Sequence, residues 1–373
     1  MHFYLKEYAR PSFDALEFTQ APDALLSPAP ADGVAPEGYH TTTIFPEYFK
    51  VGGTWLLAQN SRMDCVALLE QTHSGAGQCA PRVNVREFRH IQKGDLVFIG
   101  RSEDGQQGIF VHTNGFDDAP RFLEDRFAFR QGRSRETAFS IDYDFLYEQL
   151  RYEREHGYVV WVAGPACTFD ADSRKAFSRL CEHGYVHALL AGNALAVHDL
   201  EGSYKHTALG QDLYTQSSSP GGHHNHLDTI NRVRQCGSIR SFIEQEQIND
   251  GIMYHCVKHE IPYVLTGSIR DDGPLPEVYA DVYAGQDAMR EHISKATTII
   301  CMATTLHSIA AGNIAPSFRV MPDKTIRQVF FYVVDISEFA TNKLGDRGSL
   351  SAKSIITNVQ DFIVQLSKNL IPG

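Results

Sequence analysis

Strand-length apolar runs alternate with helix-length amphipathic segments in the second half of this chain, and this alternation constrains its fold most. From residue 158 onward the runs are "YVVWVAGP", "VHALLAGN", "IPYVLTGS", "ATTIICMAT" and "VFFYVVDI". The last three are rich in β-branched residues and lie about 30 residues apart, with helical segments between them. Strands at that spacing predict a parallel sheet that is covered by helices on both faces.

The first 140 residues have a different pattern of apolar runs and turn residues, which predicts two units separate from the α/β domain. Residues 1–40 contain "SPAPADGVAPEG", whose Pro, Ala and Gly predict a leader segment without regular structure. Over residues 41–140, short apolar runs such as "GGTWLLAQ", "CVALLEQT", "DLVFIG" and "GIFVHTN" are separated by turn residues, which indicates a small β-rich domain. The α/β domain is predicted over residues 141–373, starting with the amphipathic segment "DYDFLYEQLRYEREHG".

Composition narrows the class of ligand. The 373 residues include 34 Lys and Arg against 45 Asp and Glu, a net charge of −11, which disfavours nonspecific binding to nucleic acid or anionic membranes. The seven cysteines form no CxxC pair, no apolar leader opens the chain, and no apolar run approaches the roughly 20 residues of a membrane span. We therefore expect a cytoplasmic enzyme with a small-molecule substrate.

Small or polar residues follow every predicted strand of the α/β domain. Gly164 follows the first strand, Asn193 the second and Asp335 the last. Ligands of such sheets bind beyond the carboxyl ends of the strands, where a carboxylate can accept hydrogen bonds from ribose hydroxyls. The dinucleotide fingerprint GxGxxG is absent, and glycine after a strand is also ordinary turn chemistry.

The stretch "GGHHNHLDTINRVRQCG" clusters His223, His224 and His226 around Asn225. Three interpretations are open: a metal site, a loop at the mouth of the sheet that holds substrate or nicotinamide, and a structural turn. A zinc site requires three or four ligands in a workable geometry, and adjacent histidines point apart on most backbones. We therefore favour a ligand-facing loop and expect no metal site and no metal requirement in catalysis.

The stretch "RDDGPLPE" supplies adjacent carboxylates, Asp271 and Asp272, of which one can face a cofactor and the other a substrate. Paired carboxylates near a cationic amino acid bind its ammonium group and shift pKa values for proton transfer. Arg270 can clamp an α-carboxylate in bidentate fashion. The alternatives are a solvated Asp-Asp-Gly turn and a structural pairing of Arg270 with a neighbouring aspartate.

Seven collinear motifs carry a family resemblance: "HALLAGNALAVHDLE", "GGHHNHLDTINRVR", "GIMYHCV", "GSIRDDGPLPE", "QDAMR", "ATTLHSIAAGN" and "DRGS". Together they resemble the NAD-dependent ornithine cyclodeaminase module. That module forms the C-terminal half of cyanobacterial arginine dihydrolases and also occurs as a stand-alone archaeal protein. It shares an N-terminal β-rich region (LOR/SDH) with plant lysine-ketoglutarate reductase/saccharopine dehydrogenase. The resemblance spans roughly residues 40–365. No motif of an amidinohydrolase half is found in the sequence, so arginine itself is not an expected substrate.

The resemblance implies an NAD-binding domain like that of deoxyhypusine synthase, without the glycine-rich Rossmann fingerprint, in a homo-oligomer. It implies an ammonia-lyase of proline biosynthesis that converts L-ornithine, or a close diamino acid, to L-proline or a cyclic analogue. In that chemistry NAD borrows a hydride and returns it. Two alternatives are an opine- or saccharopine-like dehydrogenase and a protein that binds NAD without turnover.

From the residue types we expect Asp271 or His224 to be the acid/base, and Arg270 and Asn225 to bind substrate. The resemblance itself implies the NAD contacts. The family pattern has Asp at the position of Asn358, so this contact is the one in doubt, and the leader is also unusual. The implied NAD contacts are Asn193, Ala194, Asp272, Thr304, Thr305, Leu306, His307, Asp335, Asn358 and Val359.

We predict that the protein binds NAD(H) in preference to NADP(H). Carboxylates at Asp272 and Asp335 favour free ribose hydroxyls and would repel a 2′-phosphate. The Asp335→Ala variant is expected to bind NAD more weakly in calorimetric titration. An unchanged NAD affinity in that variant would remove Asp335 from the site.

Overall fold

The computed structural model describes residues 3–73, 79–116, 140–271, 273–338, 341 and 350–372. The first part builds two antiparallel sheets, a four-stranded sheet of order β1-β6-β4-β5 and a three-stranded sheet of order β3-β2-β7. Apolar side chains such as Phe49, Val83 and Phe98 form the core between them. The elements are α1 (Leu16–Thr19), β1 (Leu25–Pro28), β2 (Glu47–Val51), β3 (Thr54–Leu57), β4 (Val66–His73), β5 (Cys79–Arg86), β6 (Leu96–Ile99) and β7 (Ile109–Val111).

The strands predicted in this part are confirmed as β3, β4, β6 and β7. Strands β1, β2 and β5 were not predicted from the sequence. The expectation that residues 1–40 lack regular structure is wrong for Leu25–Pro28, which pairs antiparallel with β6. A proline is tolerated there because β1 is an edge strand. β2 was missed because it buries two charged residues, Glu47 and Lys50. The Lys50 ammonium donates to three carbonyl oxygens of the leader, those of residues 18, 19 and 21.

The second part is an α/β layer structure. Its strands form one sheet of seven parallel strands with order β13-β12-β9-β8-β14-β17-β18. Two short hairpins, β10-β11 and β15-β16, lie outside this sheet. The elements are α2 (Ser140–His156), β8 (Val159–Ala163), α3 (Ala171–Glu182), β9 (Ala188–Gly192), α4 (Asn193–Lys205), β10 (Thr207–Ala208), β11 (Gln211–Asp212), α5 (Asn225–Cys236), α6 (Ile239–Gln245), α7 (Ile252–Lys258), β12 (Tyr263–Thr266), β13 (Val278–Tyr279), α8 (Val282–Ile293), β14 (Thr298–Met302), α9 (Thr305–Ile314), β15 (Phe318–Val320), β16 (Ile326–Gln328), β17 (Phe330–Asp335), β18 (Ala352–Ile356) and α10 (Val359–Leu370).

The predicted fold class, a parallel α/β sheet preceded by a smaller β-rich part, is confirmed. With β8 counted as the first strand, the order is the doubly wound order 3-2-1-4-5-6, and β13 extends the sheet at one edge. The strand order is thus that of a Rossmann domain, although the glycine-rich fingerprint is missing. The domain boundaries at residues 40 and 140 stay predictions.

Alternating residues along the central strands pack against opposite layers of helices. Trp161 and Leu189 face the layer that contains α2 to α7 and α10. Val160 and Leu190 face the layer that contains α8 and α9. Helix α4 escaped the sequence pattern because nearly all of its residues are buried, so it lacks the polar face that marks an amphipathic helix. Among the helices of the described ranges, none combines the length and apolarity needed to cross a membrane.

An ion-pair network joins the β-rich part to helix α8. The Arg290 guanidinium donates to both carboxylate oxygens of Glu87 at 2.7 Å. Arg89 donates to Asp287 at 2.7 Å. Burial raises the pKa of Glu87, but the hydrogen bonds and charges of the arginines outweigh burial and lower it overall. The contact is therefore ionic at neutral pH.

The strand order reverses at β8 and β14, and the loops that follow these two strands touch. The Gly164 N–H donates to the Met302 carbonyl at 2.9 Å. A Cβ atom at Gly164 would lie 2.0 Å from the Ala303 carbonyl oxygen, so only glycine fits here. Such a reversal leaves a crevice beyond the strand ends, which is where α/β sheets bind ligands.

We predict that Gly164→Ala destabilises the protein by about 1–3 kcal/mol because its methyl group would overlap backbone atoms of the neighbouring loop. Gly312→Ala is the matched control. Gly312 lies inside α9, where alanine is a better helix former than glycine. A Cβ atom added there would make an ordinary 3.5 Å contact with Phe331. Urea unfolding of both variants measures the difference. Equal stability of the two variants would contradict the close approach of the loops.

Candidate functional site

His307 lies at the carboxyl edge of the sheet and joins two strand ends. It belongs to the first turn of α9, directly after β14. Its Nε2 lies 2.7 Å from the Thr266 hydroxyl at the end of β12, and its Nδ1 lies 3.3 Å from the Thr304 hydroxyl. Both ring nitrogens therefore have hydroxyl partners, which fix the plane of the imidazole.

The environment of His307 keeps its imidazole neutral. Burial lowers the pKa of His307 below the ordinary histidine value, and the nearby Asp271 carboxylate offsets part of this effect. A neutral imidazole beside two hydroxyl groups can accept a proton and return it. From the sequence, His307 was predicted only as an NAD contact.

A second strand end meets the same histidine. A Cβ atom at Gly192, the last residue of β9, would lie 3.0 Å from Cε1 of His307. Asn193 follows at the start of α4 and is buried, and its side-chain oxygen accepts from the Leu275 N–H at 3.1 Å. This bond fixes the loop after β12 over the start of α4, next to Ala194. The loops after β9, β12 and β14 therefore converge.

A cavity of about 280 Å³ lies along the same edge, after β8, β14, β17 and β18. The Asp335 carboxylate accepts from the Ser337 N–H at 2.9 Å. The Asn358 side chain caps α10 by accepting from the N–H groups of residues 360 and 361. The structure thus brings three predicted NAD contacts together, and the lining residues are Ala166, Ala303, Asp335, Ile336, Asn358, Val359 and Gln360.

The remaining predicted residues of this edge are more exposed. Asp271 closes a turn by accepting from the Ser268 N–H at 2.7 Å, which is also the geometry expected of a plain Asp turn. Arg270 and Thr305 are exposed, and Leu306 exposes 75% of its surface. The side chains of Asp271, Arg270, Thr305 and Leu306 follow β12 and β14 on the same edge as His307. Asp272 lies outside the described residues.

The histidine motif lies elsewhere. His224 is exposed, with its ring 4.0 Å from that of His223. Asn225 donates to the Thr207 hydroxyl at 3.0 Å, and His226 faces Glu201 in the third turn of α4. At 1.5 Å per residue, Glu201 is about 12 Å along the helix from its start at the edge. No contact found among the described residues joins His224 or Asn225 to His307.

Three residues of this arrangement escaped sequence reasoning. Thr266 ends the apolar run "YVLT", where a terminal hydroxyl is an ordinary strand residue. His198 and Glu201 lie three apart in "VHDLE", a spacing that places both on one helix face. The pair of His198 and Glu201 could have been found from that spacing. The contact of Thr266 with His307 could not, because it depends on the path of the loop after β14.

Residues 146–366 match the family described as "Arginine dihydrolase ArgZ-like, C-terminal, Rossmann fold". The chain belongs to this family. The match contains β8 to β18, with every strand end described above.

Relatives in this family are similar over most of the chain. An ornithine cyclodeaminase of Methanopyrus kandleri is 38% identical over 346 residues, which cover 92% of this chain and 78% of the relative. The crystal structure of a conserved LOR/SDH protein from Methanococcus maripaludis S2 has a TM-score of 0.81 at 34% identity and covers 94% of this chain and 98% of that one.

A third comparison is with AgrE, named in Nostoc sp. as a bifunctional arginine dihydrolase/ornithine cyclodeaminase. A ternary complex of AgrE with ornithine and NAD+ is 33% identical to this chain, with a TM-score of 0.58. The alignment covers 94% of this chain and 46% of AgrE. This chain therefore corresponds to about half of the bifunctional protein.

We predict that Asn358→Asp keeps the cap of α10, because a carboxylate oxygen accepts the same two backbone N–H groups and lies favourably at a helix N-terminus. Asn358→Ala is expected to lose about 1 kcal/mol of the free energy of unfolding. Thermal unfolding monitored by circular dichroism compares the three proteins. A loss as large in the Asp variant as in the Ala variant would show that the cap is not what Asn358 contributes.

Proposed function

We propose that this protein is an NAD-dependent ornithine cyclodeaminase that converts L-ornithine, or a close diamino acid, to L-proline, or its cyclic analogue, with release of ammonia. The observation that carries this proposal is the partly buried, neutral His307 at the carboxyl edge of a doubly wound sheet, beside Asp271. Family membership and the named relatives support the substrate and NAD, since an AgrE structure contains both ornithine and NAD+.

The residues present fit NAD at the carboxyl edge. Asp335 at the end of β17 is placed to accept hydrogen bonds from ribose hydroxyls. The small residues Ala166 and Ala303 leave room in the cavity for the pyrophosphate of NAD. The N-termini of α9 and α10, which carry partial positive charge, begin at the same edge. NAD supplies reversible hydride acceptance, so that the overall reaction needs no net oxidant.

The chain itself must supply binding, proton transfer and ammonium recognition. Ring closure exchanges one amine for another at Cα: the δ-amine must lose a proton, and the departing α-amine must gain one. A single neutral imidazole between hydroxyl groups can carry that proton from one nitrogen to the other, which is the role we assign to His307. The Asp271 carboxylate is suited to bind the ammonium group, and exposed Arg270 the α-carboxylate.

The acid/base role of His224 stays a prediction without geometric support, because His224 is exposed, its ring lies beside that of His223, and no contact found among the described residues joins it to His307. The substrate role of Asn225 also stays a prediction, since its amide already donates to the Thr207 hydroxyl. We also propose a cytoplasmic, homo-oligomeric enzyme of proline formation. Free cysteines such as Cys167 and Cys301 are consistent with a reducing compartment.

The decisive test is incubation with NAD+ and a panel of diamino acids while ammonia, NADH absorbance and product mass are followed together. We expect L-ornithine or a close relative to release ammonia and give a cyclic imino acid with no net NADH. Stoichiometric NADH would instead show a dehydrogenase of the opine or saccharopine type. NAD binding without turnover of any diamino acid would favour a protein that binds NAD without catalysis.

We predict that His307→Gln lowers kcat by about 10²- to 10⁴-fold, the usual contribution of a general acid/base, while NAD still binds. Asp271→Asn is expected to raise KM for the diamino acid and to lower kcat. His224→Gln is the matched control, because its ring is exposed and lies away from the edge. Full activity of His307→Gln would exclude His307 as the proton carrier.

The pH dependence gives an independent readout. Because burial lowers the pKa of His307, its base form persists below the ordinary histidine pKa of about 6.5. The acid limb of the kcat/KM profile of the wild-type enzyme is therefore expected below about pH 6.5. That limb should be absent from the residual activity of His307→Gln, and a limb retained unchanged would assign it to another group.

A further inference from the structure

We propose that His198, Glu201 and His226 hold a divalent transition-metal ion of the zinc class. His198 and Glu201 lie one turn apart on α4, and His226 lies in the first turn of α5. One ligand atom from each residue can be chosen so that all three lie within 4.8 Å of one another. The three residues form the triad discussed below.

Both imidazoles of the triad present an unpaired nitrogen. The Nδ1 atoms of His198 and His226 are buried, and neither makes a hydrogen bond of good geometry, because the carboxylate oxygen that each faces lies 3.5–3.6 Å away. His198 is 5% exposed, so water does not readily replace the missing partner. Leaving a buried polar atom unpaired costs about 1–3 kcal/mol. Two such atoms that face the same carboxylate indicate a ligand between them.

The distances fit coordination better than hydrogen bonding. The Nδ1 atoms of His198 and His226 lie 3.6 Å and 3.5 Å from Oε2 of Glu201. Both distances are longer than a good N–H···O hydrogen bond of about 2.9 Å. Ligands about 2.0–2.2 Å from a tetrahedral zinc ion lie about 3.3–3.6 Å apart. Two imidazoles and one carboxylate are a recognised zinc donor set with a fourth position left for water.

The carboxylate is already oriented by its neighbours. Oε1 of Glu201 accepts from the Thr207 hydroxyl at 2.7 Å and from the Gly210 N–H at 2.9 Å. Oε2 accepts from the Leu209 N–H at 3.1 Å, and Thr207 in turn accepts from Asn225. Outer partners of this kind fix the direction of a metal ligand.

The position of the triad, away from the sheet edge, would make the ion a bridge between two helices. It would connect the middle of α4 to the start of α5 and so fix the "GGHHNH" segment, about 12 Å along α4 from the sheet edge. The segment already lies close to β10-β11, because a Cβ atom at Gly222 would lie 2.3 Å from the Gly210 carbonyl oxygen. The sequence analysis expected no metal site, and the metal content of the protein decides between that expectation and this proposal.

The test is zinc binding to the full-length protein. Elemental analysis of protein purified without chelator is expected to give about one zinc ion per chain. After chelator treatment, calorimetric titration with Zn2+ should recover one site, and Co2+ should give a tetrahedral visible spectrum. His226→Asn is expected to weaken zinc binding by more than about 100-fold, and Thr207→Val by about 10- to 100-fold, as outer-shell changes do.

His223→Asn and His224→Asn are the matched controls, because these exposed rings belong to the same motif but not to the triad. They should bind zinc as the wild type does and show the same rise in Tm with Zn2+. If wild-type protein holds no zinc and shows no titration, the triad is a hydrogen-bonded network and the proposal fails. Loss of binding in the controls but not in His226→Asn would also overturn it, by assigning zinc to the surface histidines.

Discussion

The contact between the loops after β8 and β14 is the constraint on which the rest of the site depends. Gly164 lets the two backbones approach at the point where the strand order reverses, and a methyl group there would overlap the Ala303 carbonyl. The close approach sets where α9 begins and therefore where His307 points. The Thr266 hydroxyl from β12 completes the arrangement from the other side. The position of one glycine thus constrains where the loop that leads to His307 can run.

His307 and His198 differ in how their ring nitrogens are partnered. His307 is partly buried with both nitrogens beside hydroxyl groups, so its neutral form is satisfied. His198 is buried with an unpaired Nδ1 beside a carboxylate that its neighbours already orient. The first arrangement suits chemistry that needs a mobile proton, and the second suits a fixed cation. Both follow from the rule that a buried polar atom requires a partner.

The motif "GGHHNHLDTINR" lies at a different place in the fold from the one that the sequence predicted. From sequence it indicated a loop at the mouth of the sheet, because its histidines follow a flexible glycine pair. In the fold it packs against the middle of α4, with Asn225 on Thr207 and His226 on Glu201. Its collinearity with the family therefore has a structural explanation that does not require contact with substrate. The motif "TTLH", in contrast, lies at the strand end where the sequence analysis placed it.

The sequence alone determined the parallel sheet, since runs such as "VVWVA" and "FFYVV" are apolar at every position, as expected of strands buried on both faces. It also determined the strand-end positions of Asn193, Thr304 and Asp335, because each directly follows or ends such a run. Tertiary structure decided which of these ends meet. The pairing of His307 with Thr266 spans 41 residues, and that of His226 with Glu201 spans 25. Local patterns cannot specify such pairs, because they depend on the order in which strands and helices pack.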